Sequence, residues 1–316
     1  MYISDKDALK YASRIILVFV PFLLSFFNIW SWFGETLIFL ALFIHYRNSS
    51  LKLTSILLVL GYLLAIVVSG ANSFLQIGFS PWAGILLLGL EQRGMKTGPS
   101  MFWSLILVAL LSGLPVIPTV KVALQPENVQ AQITLLLQMA EQQGFLSAFE
   151  KQGLSIDYFR SYFASAVSVY FKLMPAMAGI IGMMEMGFAY LIFRLSIRGR
   201  REITAFSQWS IPWYAVWIAI IGISAYLSGD YLKANVIKII GMNLIMVIAA
   251  ISLLLGCCCF VYVVLHPKTP RIFIWMIIIG AIFFSYYILA GLIFVGLFDM
   301  VFYFRKIPEK SKEGKP

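Results

Sequence analysis

Glu185 is the residue in this sequence whose type and place could do chemistry. It stands in the run Ala178-Gly179-Ile180-Ile181-Gly182-Met183-Met184-Glu185-Met186-Gly187-Phe188-Ala189, nine positions before Arg194. At ~1.5 Å per helical residue that is about 13 Å from the basic end of its apolar segment, near the middle of a bilayer. Inserting a charge there costs about 2.5–3.5 kcal/mol even on the lenient scale, so a carboxyl at that depth has a purpose. It can bind a solute, carry a proton or tie two helices together. Ala178, Gly182, Glu185 and Ala189 fall at i, i+4, i+7 and i+11, one helix face. Small residues on a face permit close helix packing, which predicts a carboxyl pointing into the bundle rather than into lipid.

Other polar residues in apolar runs complete the candidate binding set. Lys172 lies at the outer end of the same segment, where a long side chain can snorkel to water. Asn72, Gln76 and Ser80, with Pro81, give an earlier segment a polar face and a predicted kink. Asn243 is a buried polar candidate in a later one. Glu35 follows a predicted break at Trp32-Phe33-Gly34 and is either a broken-helix residue lining a site or an exposed one. Asp299 is placed to pair with Arg305, and Glu91 with Arg93 reads as a turn.

No reaction centre can be assembled from these residues. The sequence has only two histidines, His45 and His266, both at predicted helix ends and far apart. Cys257, Cys258 and Cys259 are consecutive, so they point about 100° apart on a helix and cannot cage a metal or form a disulfide framework among themselves. They read as packing residues, with acylation at the membrane face as the alternative. Walker, dinucleotide-binding, H-E-x-x-H and G-x-S-x-G patterns are absent. The sequence therefore predicts no catalytic residue, no metal site, no cofactor and no enzyme.

The elements that position these residues are membrane helices. The 316 residues are 61% hydrophobic and 12% charged, against about 45–50% and about 25% in soluble domains. The apolar residues come in long blocks without period-2 alternation, so helices and not a barrel are predicted: an all-α polytopic membrane protein with about 8–10 transmembrane helices. The blocks run Arg14–Trp32, Gly34–Tyr46, Leu53–Ser69, Ser73–Leu90, Met101–Val120, Phe171–Phe193, Pro212–Leu227, Ile237–Leu265 and Ile272–Phe304. The last has 33 residues, ~50 Å as one helix, and is read as two helices broken at Ala290-Gly291. The N-terminus runs straight into the first block without a cleavage site, as an uncleaved first span.

Charge sets the orientation. With the N-terminus inside and alternating sides, 18 of the 24 Lys and Arg fall inside, and Lys121, Lys151, Arg160, Lys172, Lys233 and Lys238 stay outside. This follows the positive-inside rule and puts both termini, including the basic tail 305–316, in the cytoplasm. The net charge of +10 is thus topological, and nucleic acid is not a partner. Trp209, Trp213 and Trp217 fit an interfacial belt. The one sizeable extramembrane piece, Lys121–Tyr162, is placed outside. Pro126-Glu127 opens a helix with Ile133, Leu136, Leu137 and Ala140 on one face, and Gly144 stops it. Ser155 caps a second start. These predict short amphipathic helices, either a structural cap or a lid.

Several stretches together resemble a known family: Gly153-Leu154-Ser155 leading to Leu173-Met174-Pro175-Ala176, a span ending in basic residues, then Phe206-Ser207-Gln208-Trp209-Ser210-Ile211-Pro212-Trp213. The chain resembles the YybS-like family of bacterial inner-membrane proteins. That family's N-terminal half is similar to the substrate-binding S components of energy-coupling-factor transporters. The resemblance implies a six-segment domain over 1–195 with the insert at 121–162, extra membrane helices over 196–304, and solute binding from the outer face. Separate ATPase subunits would supply the energy, and the bilayer, a small solute and a membrane protein are the implied partners. The alternative is a non-transporting scaffold for envelope proteins.

Overall fold

A computed structural model describes residues 5–24, 31–70, 78–146, 155–198, 206–266, 269–270 and 283–305, with isolated positions between 272 and 280. The described residues are 88% helical and include no strand. The helices are α1 (Asp5–Leu24), α2 (Ser31–Arg47), α3 (Leu51–Ser69), α4 (Pro81–Gln92) and α5 (Thr97–Gly113). A 3-10 turn, Leu114–Val116, carries α5 into α6 (Ile117–Ala123). Then follow α7 (Pro126–Gln142), α8 (Ile156–Arg198), α9 (Val216–Tyr231), α10 (Asn235–Leu265) and α11 (Ser285–Phe302). Leu51–Ser69, Thr97–Ala123, Ile156–Ser196 and Asn235–Leu265 are each long and apolar enough to cross a membrane, and Tyr286–Phe302 is a shorter apolar helix. The fold is that of an all-α polytopic membrane protein.

The centre of the bundle is α8, which packs on α2, α5, α7 and α10. It has 43 residues, about 65 Å, against about 40–45 Å for a bilayer with its headgroups. One end must therefore project. The projecting N-terminal end carries α7 against it, with Ile133 and Val167 buried. The polar residues Gln130, Gln132, Gln138, Glu141 and Gln142 face out. Ser155 Oγ accepts the Tyr158 N–H at 3.3 Å, the anticipated cap. The second helix of the insert is not short, however. Among residues 156–198 the only proline is Pro175 and no glycine precedes Gly179, so nothing stops the helix at Tyr162. The boundary there is a change of solvent, not of secondary structure.

Pro175 has no N–H to give the preceding turn, and its ring crowds it. Asn243 of α10 closes the fault. Its Oδ1 accepts the Ala176 N–H at 2.8 Å, and its Nδ2 donates to the carbonyls of Lys172 and Ile239, both at 2.8 Å. Both amide hydrogens are thereby engaged. This contact joins the N-terminal helices to the C-terminal ones.

The C-terminal helices meet through glycine. A Cβ built on Gly296 lies 2.7 Å from the Gly256 nitrogen, and one on Gly256 lies 2.6 Å from the Leu292 carbonyl carbon. Backbones this close need both positions bare. Beyond α11, Arg305 is buried. Its Nε and Nη2 donate to Asp299 Oδ2 at 3.0 and 2.6 Å, Nη1 to the Ser207 carbonyl at 2.8 Å, and Nη2 to the Trp209 carbonyl at 2.7 Å. The local Asp299–Arg305 pair foreseen in the sequence thus also pins the Phe206–Trp209 turn.

Three boundaries differ from expectation. Ala290-Gly291 lies inside α11, and the helix instead begins after Phe284, whose φ of −123° and ψ of 39° leave the helical region. Alanine is the best helix former, and glycine keeps its N–H, so in lipid the ladder runs through both. Pro81 does not kink a span: it is the first residue of α4, where its missing N–H costs nothing. Trp32-Phe33-Gly34 is helical within α2, because continuing the ladder satisfies the backbone. Residues 25–30 and 73–77, parts of two anticipated spans, lie outside the described residues, as does the tail 306–316.

Two outcomes follow for thermal unfolding of the detergent-solubilised protein. Gly296→Leu should destabilise by about 1–3 kcal/mol through overpacking, while Gly291→Leu, with nothing within 4 Å of its built Cβ, should leave Tm unchanged. Equal behaviour of the two would disprove the seam. Asn243→Ala should cost about 1–3 kcal/mol by stranding the Lys172 carbonyl and the Ala176 N–H, and an unaltered Tm would show that the amide bridge is dispensable.

Candidate functional site

The start of α4 and the N-terminal part of α2 define the site. Glu35 lies just past the first turn of α2. α4 starts at Pro81, preceded by the buried Ser80 and the non-helical Gly78 and Phe79. Counting to the basic ends, Glu35 is 12 residues before Arg47 and Glu185 is nine before Arg194, about 18 and about 13 Å. The two depths differ by about one helical turn, and the packing of α8 on α2 sets the two carboxyls close enough to interact. The Ser80 hydroxyl donates to Glu35 Oε2. Tyr62 of α3 donates to the Gly78 carbonyl at 2.8 Å. Gly78 has φ +71°, and a Cβ there would stand 2.6 Å from Glu35 Oε1. Conformation and space thus both favour glycine.

Glu185 is 8% exposed, and Glu35 is half-buried. The face that carries Glu185 packs as its spacing predicts. Gly182 meets the Ser112 side chain, Gly179 meets the Ala109 backbone, and Ala189 is fully buried. The site therefore gathers two carboxyls, the Ser80 hydroxyl and the Gly78–Ser80 backbone.

Toward the Arg47 and Arg194 ends the site is plugged. Phe39 and Phe43 follow Glu35 at i+4 and i+8 and are fully buried. The Phe43 ring centre is 5.5 Å from those of Tyr190 and Phe193. Below this plug Tyr190 donates to Glu91 Oε1 at 2.8 Å, and the Arg194 guanidinium lies 5.5 Å from the Tyr190 ring centre. Glu91 is thus a latch between α4 and α8 as well as part of the anticipated turn, where its carbonyl accepts the Gly94 N–H at 3.0 Å. Nearby, the buried His45 is also satisfied. The Thr54 hydroxyl donates to the Ser50 carbonyl at 2.9 Å. The 2.8 Å contact with Thr54 must therefore be donated by His45 Nδ1, which leaves Nε2 to accept from Arg14 Nε at 3.4 Å.

Of the sequence candidates, Glu185 and Ser80 fall in the site. Lys172, through its backbone, and Asn243 meet at the Pro175 turn. Asn72 and Gln76 lie outside the described residues. The pairing of Glu35 with Glu185 and the contribution of Tyr62 were not foreseen, though two carboxyls lying within about one helical turn in depth are a signal that could have found the pair. Among the described residues no group of three or more His, Cys, Asp and Glu is arranged to hold a metal.

Fold and site together define a multi-pass helical membrane protein with a carboxyl pair enclosed among its helices. Over residues 10–300 the chain matches the family described as predicted membrane protein (DUF2232), and it belongs to that family. The membership fits the YybS-like resemblance and carries no likeness to S components. No curated protein and no solved structure matches the chain.

Whether this carboxyl pair carries a proton is directly measurable. A hydrophobic carbodiimide, which attacks protonated carboxyls, should label Glu35 or Glu185 at pH 7 in the detergent-solubilised protein, and the double replacement Glu35→Gln/Glu185→Gln should abolish that labelled peptide. Absence of label on both residues in the wild type would mean that both are ionised and not hydrogen-bonded to each other.

Proposed function

We propose that this protein binds a small polar solute from the outer face of the bacterial cytoplasmic membrane, as a transporter-related component without catalytic groups of its own. The observation that carries this reading is the proximity of Glu35 and Glu185, with Ser80 bonded to Glu35, where α4 begins within the bundle. Helices that start at membrane depth are the usual frame of a solute site, because irregular backbone is tolerated there only when protein or a cavity satisfies it. The carboxyl pair, the Ser80 hydroxyl and the Gly78–Ser80 backbone supply donors and acceptors within a few ångströms.

Direction is supported by two further features. The aromatic plug of Phe39, Phe43 and Phe193 closes the side toward Arg47 and Arg194, the side that the positive-inside rule assigns to the cytoplasm. The opposite side is where α7 and the projecting end of α8 lie, in position to cover an entrance. A site lined by two carboxyls and a hydroxyl suits an amine- or hydroxyl-bearing solute. Energised uptake would draw on separate ATPase subunits, since this chain has no nucleotide-binding motif.

A thermal-shift screen of the purified protein against small amine- and hydroxyl-bearing solutes tests the reading. A ligand at 100 times its Kd stabilises by about 2.7 kcal/mol, a shift of several degrees. We expect at least one such solute, with the shift lost in Glu185→Gln and in Glu35→Gln while the unliganded Tm is kept. Shifts that survive both replacements would remove the pair from the site. A panel without any shift would favour the scaffold reading instead.

A further inference from the structure

A groove of about 680 Å³ runs along α3 beside the end of α4, lined by Ser50, Leu51, Lys52, Ser55, Ile56, Val59, Leu60 and Gln92. Its polar and apolar residues are segregated along its length. Lys52, Ile56, Val59, Leu60 and Leu63 fall at i, i+4, i+7, i+8 and i+11, one stripe of α3. Ile56, Val59, Leu60 and Leu63 are 44, 39, 47 and 50% exposed. From Lys52 to Leu63 the stripe spans about 16 Å, the depth of one leaflet of a ~30 Å hydrocarbon core.

The charge at its head is positive. Arg47 and Arg93 are exposed on the adjoining helix ends, beside the exposed Lys52. The neighbouring acid, Glu91, is turned to Tyr190 on α8. The N-terminus of α3, capped by Ser50, adds its partial positive charge to the same spot. A cationic head on an apolar stripe one leaflet deep is complementary to a single amphiphile with an anionic headgroup.

We infer that this groove is a binding site for an anionic phospholipid, with its phosphate at Lys52 and an acyl chain along Ile56, Val59 and Leu60. The site is separate from the carboxyl pair and independent of the solute reading. It would tie the α3–α4 corner to anionic lipid in the leaflet that surrounds the α3 N-terminus.

The test uses delipidated, detergent-solubilised full-length protein titrated with phosphatidylglycerol or phosphatidylcholine of identical chains, read by native mass spectrometry and by Tm. Phosphatidylglycerol should bind at least five-fold more tightly than phosphatidylcholine and raise Tm by several degrees. Lys52→Glu should remove that preference, Lys52→Gln should weaken it, and Lys121→Glu at the far end of the bundle should keep it. Inorganic phosphate and glycerol 3-phosphate should give no stabilisation. Equal binding of the two lipids, an unchanged preference in Lys52→Glu, or stabilisation by phosphate alone would each overturn the assignment.

Discussion

In hydrocarbon a polar group has no water to fall back on, so each donor and acceptor inside the bilayer must find a partner in the protein. The described packing of this protein is arranged around that constraint. Asn243 mends the turn that Pro175 interrupts. Ser80 donates to Glu35 where α4 begins, beside Glu185. His45 and Thr54 pass a hydrogen-bond chain to the Ser50 carbonyl, and Arg305 fills itself with one carboxylate and two carbonyls. Many of these pairings are also tethers between elements: Asn243 joins α10 to α8, His45 joins α2 to α3, and Arg305 joins the end of α11 to the Phe206–Trp209 turn. Hydrophobic driving force between helices is weak there, so such tethers and close glycine contacts carry much of the specificity of packing.

The long helix α8 organises those tethers. One side of it meets α2 and α5 around the carboxyl pair, and another meets α10 at Asn243. Its outer end supports α7. The candidate site, the junction between the two halves of the chain and the extramembrane cap are thus all mounted on a single element. Pro175 lies between the cap and Glu185, so the one bracketed irregularity in α8 falls between the outer helices and the carboxyls.

Much of this was legible in the sequence, for stateable reasons. The membrane class followed from composition, because lipid tolerates so few charges. The inward face of Glu185 followed from the spacing of Ala178, Gly182 and Ala189, because a helix fixes which residues share a side. The partner of Glu185 did not follow: Glu35 lies 150 positions away, and local periodicity is silent on which helices become neighbours. Asn243 stood out as polar in an apolar run, yet its engagement depended on a proline in a different helix. Helix ends were misplaced where residue type stood in for backbone accounting. Glycine and alanine at 290–291 looked like a break, and the polar stretch before Phe171 looked like an end, whereas the backbone ladder runs through both.

The Arg305 clamp has a consequence for biosynthesis. The carbonyls it holds belong to Ser207 and Trp209, 98 and 96 positions earlier in the chain. At about 5–20 residues per second of synthesis, that turn emerges roughly 5–20 s before its guanidinium partner does. During this interval α10 has already been made, but the backbone surface at Gly256 that receives Leu292 and Gly296 is unfilled. Assembly of the C-terminal helices is therefore timed by the last of them, and a ribosome that stalls before Arg305 leaves an inserted but unlocked bundle for quality control to find.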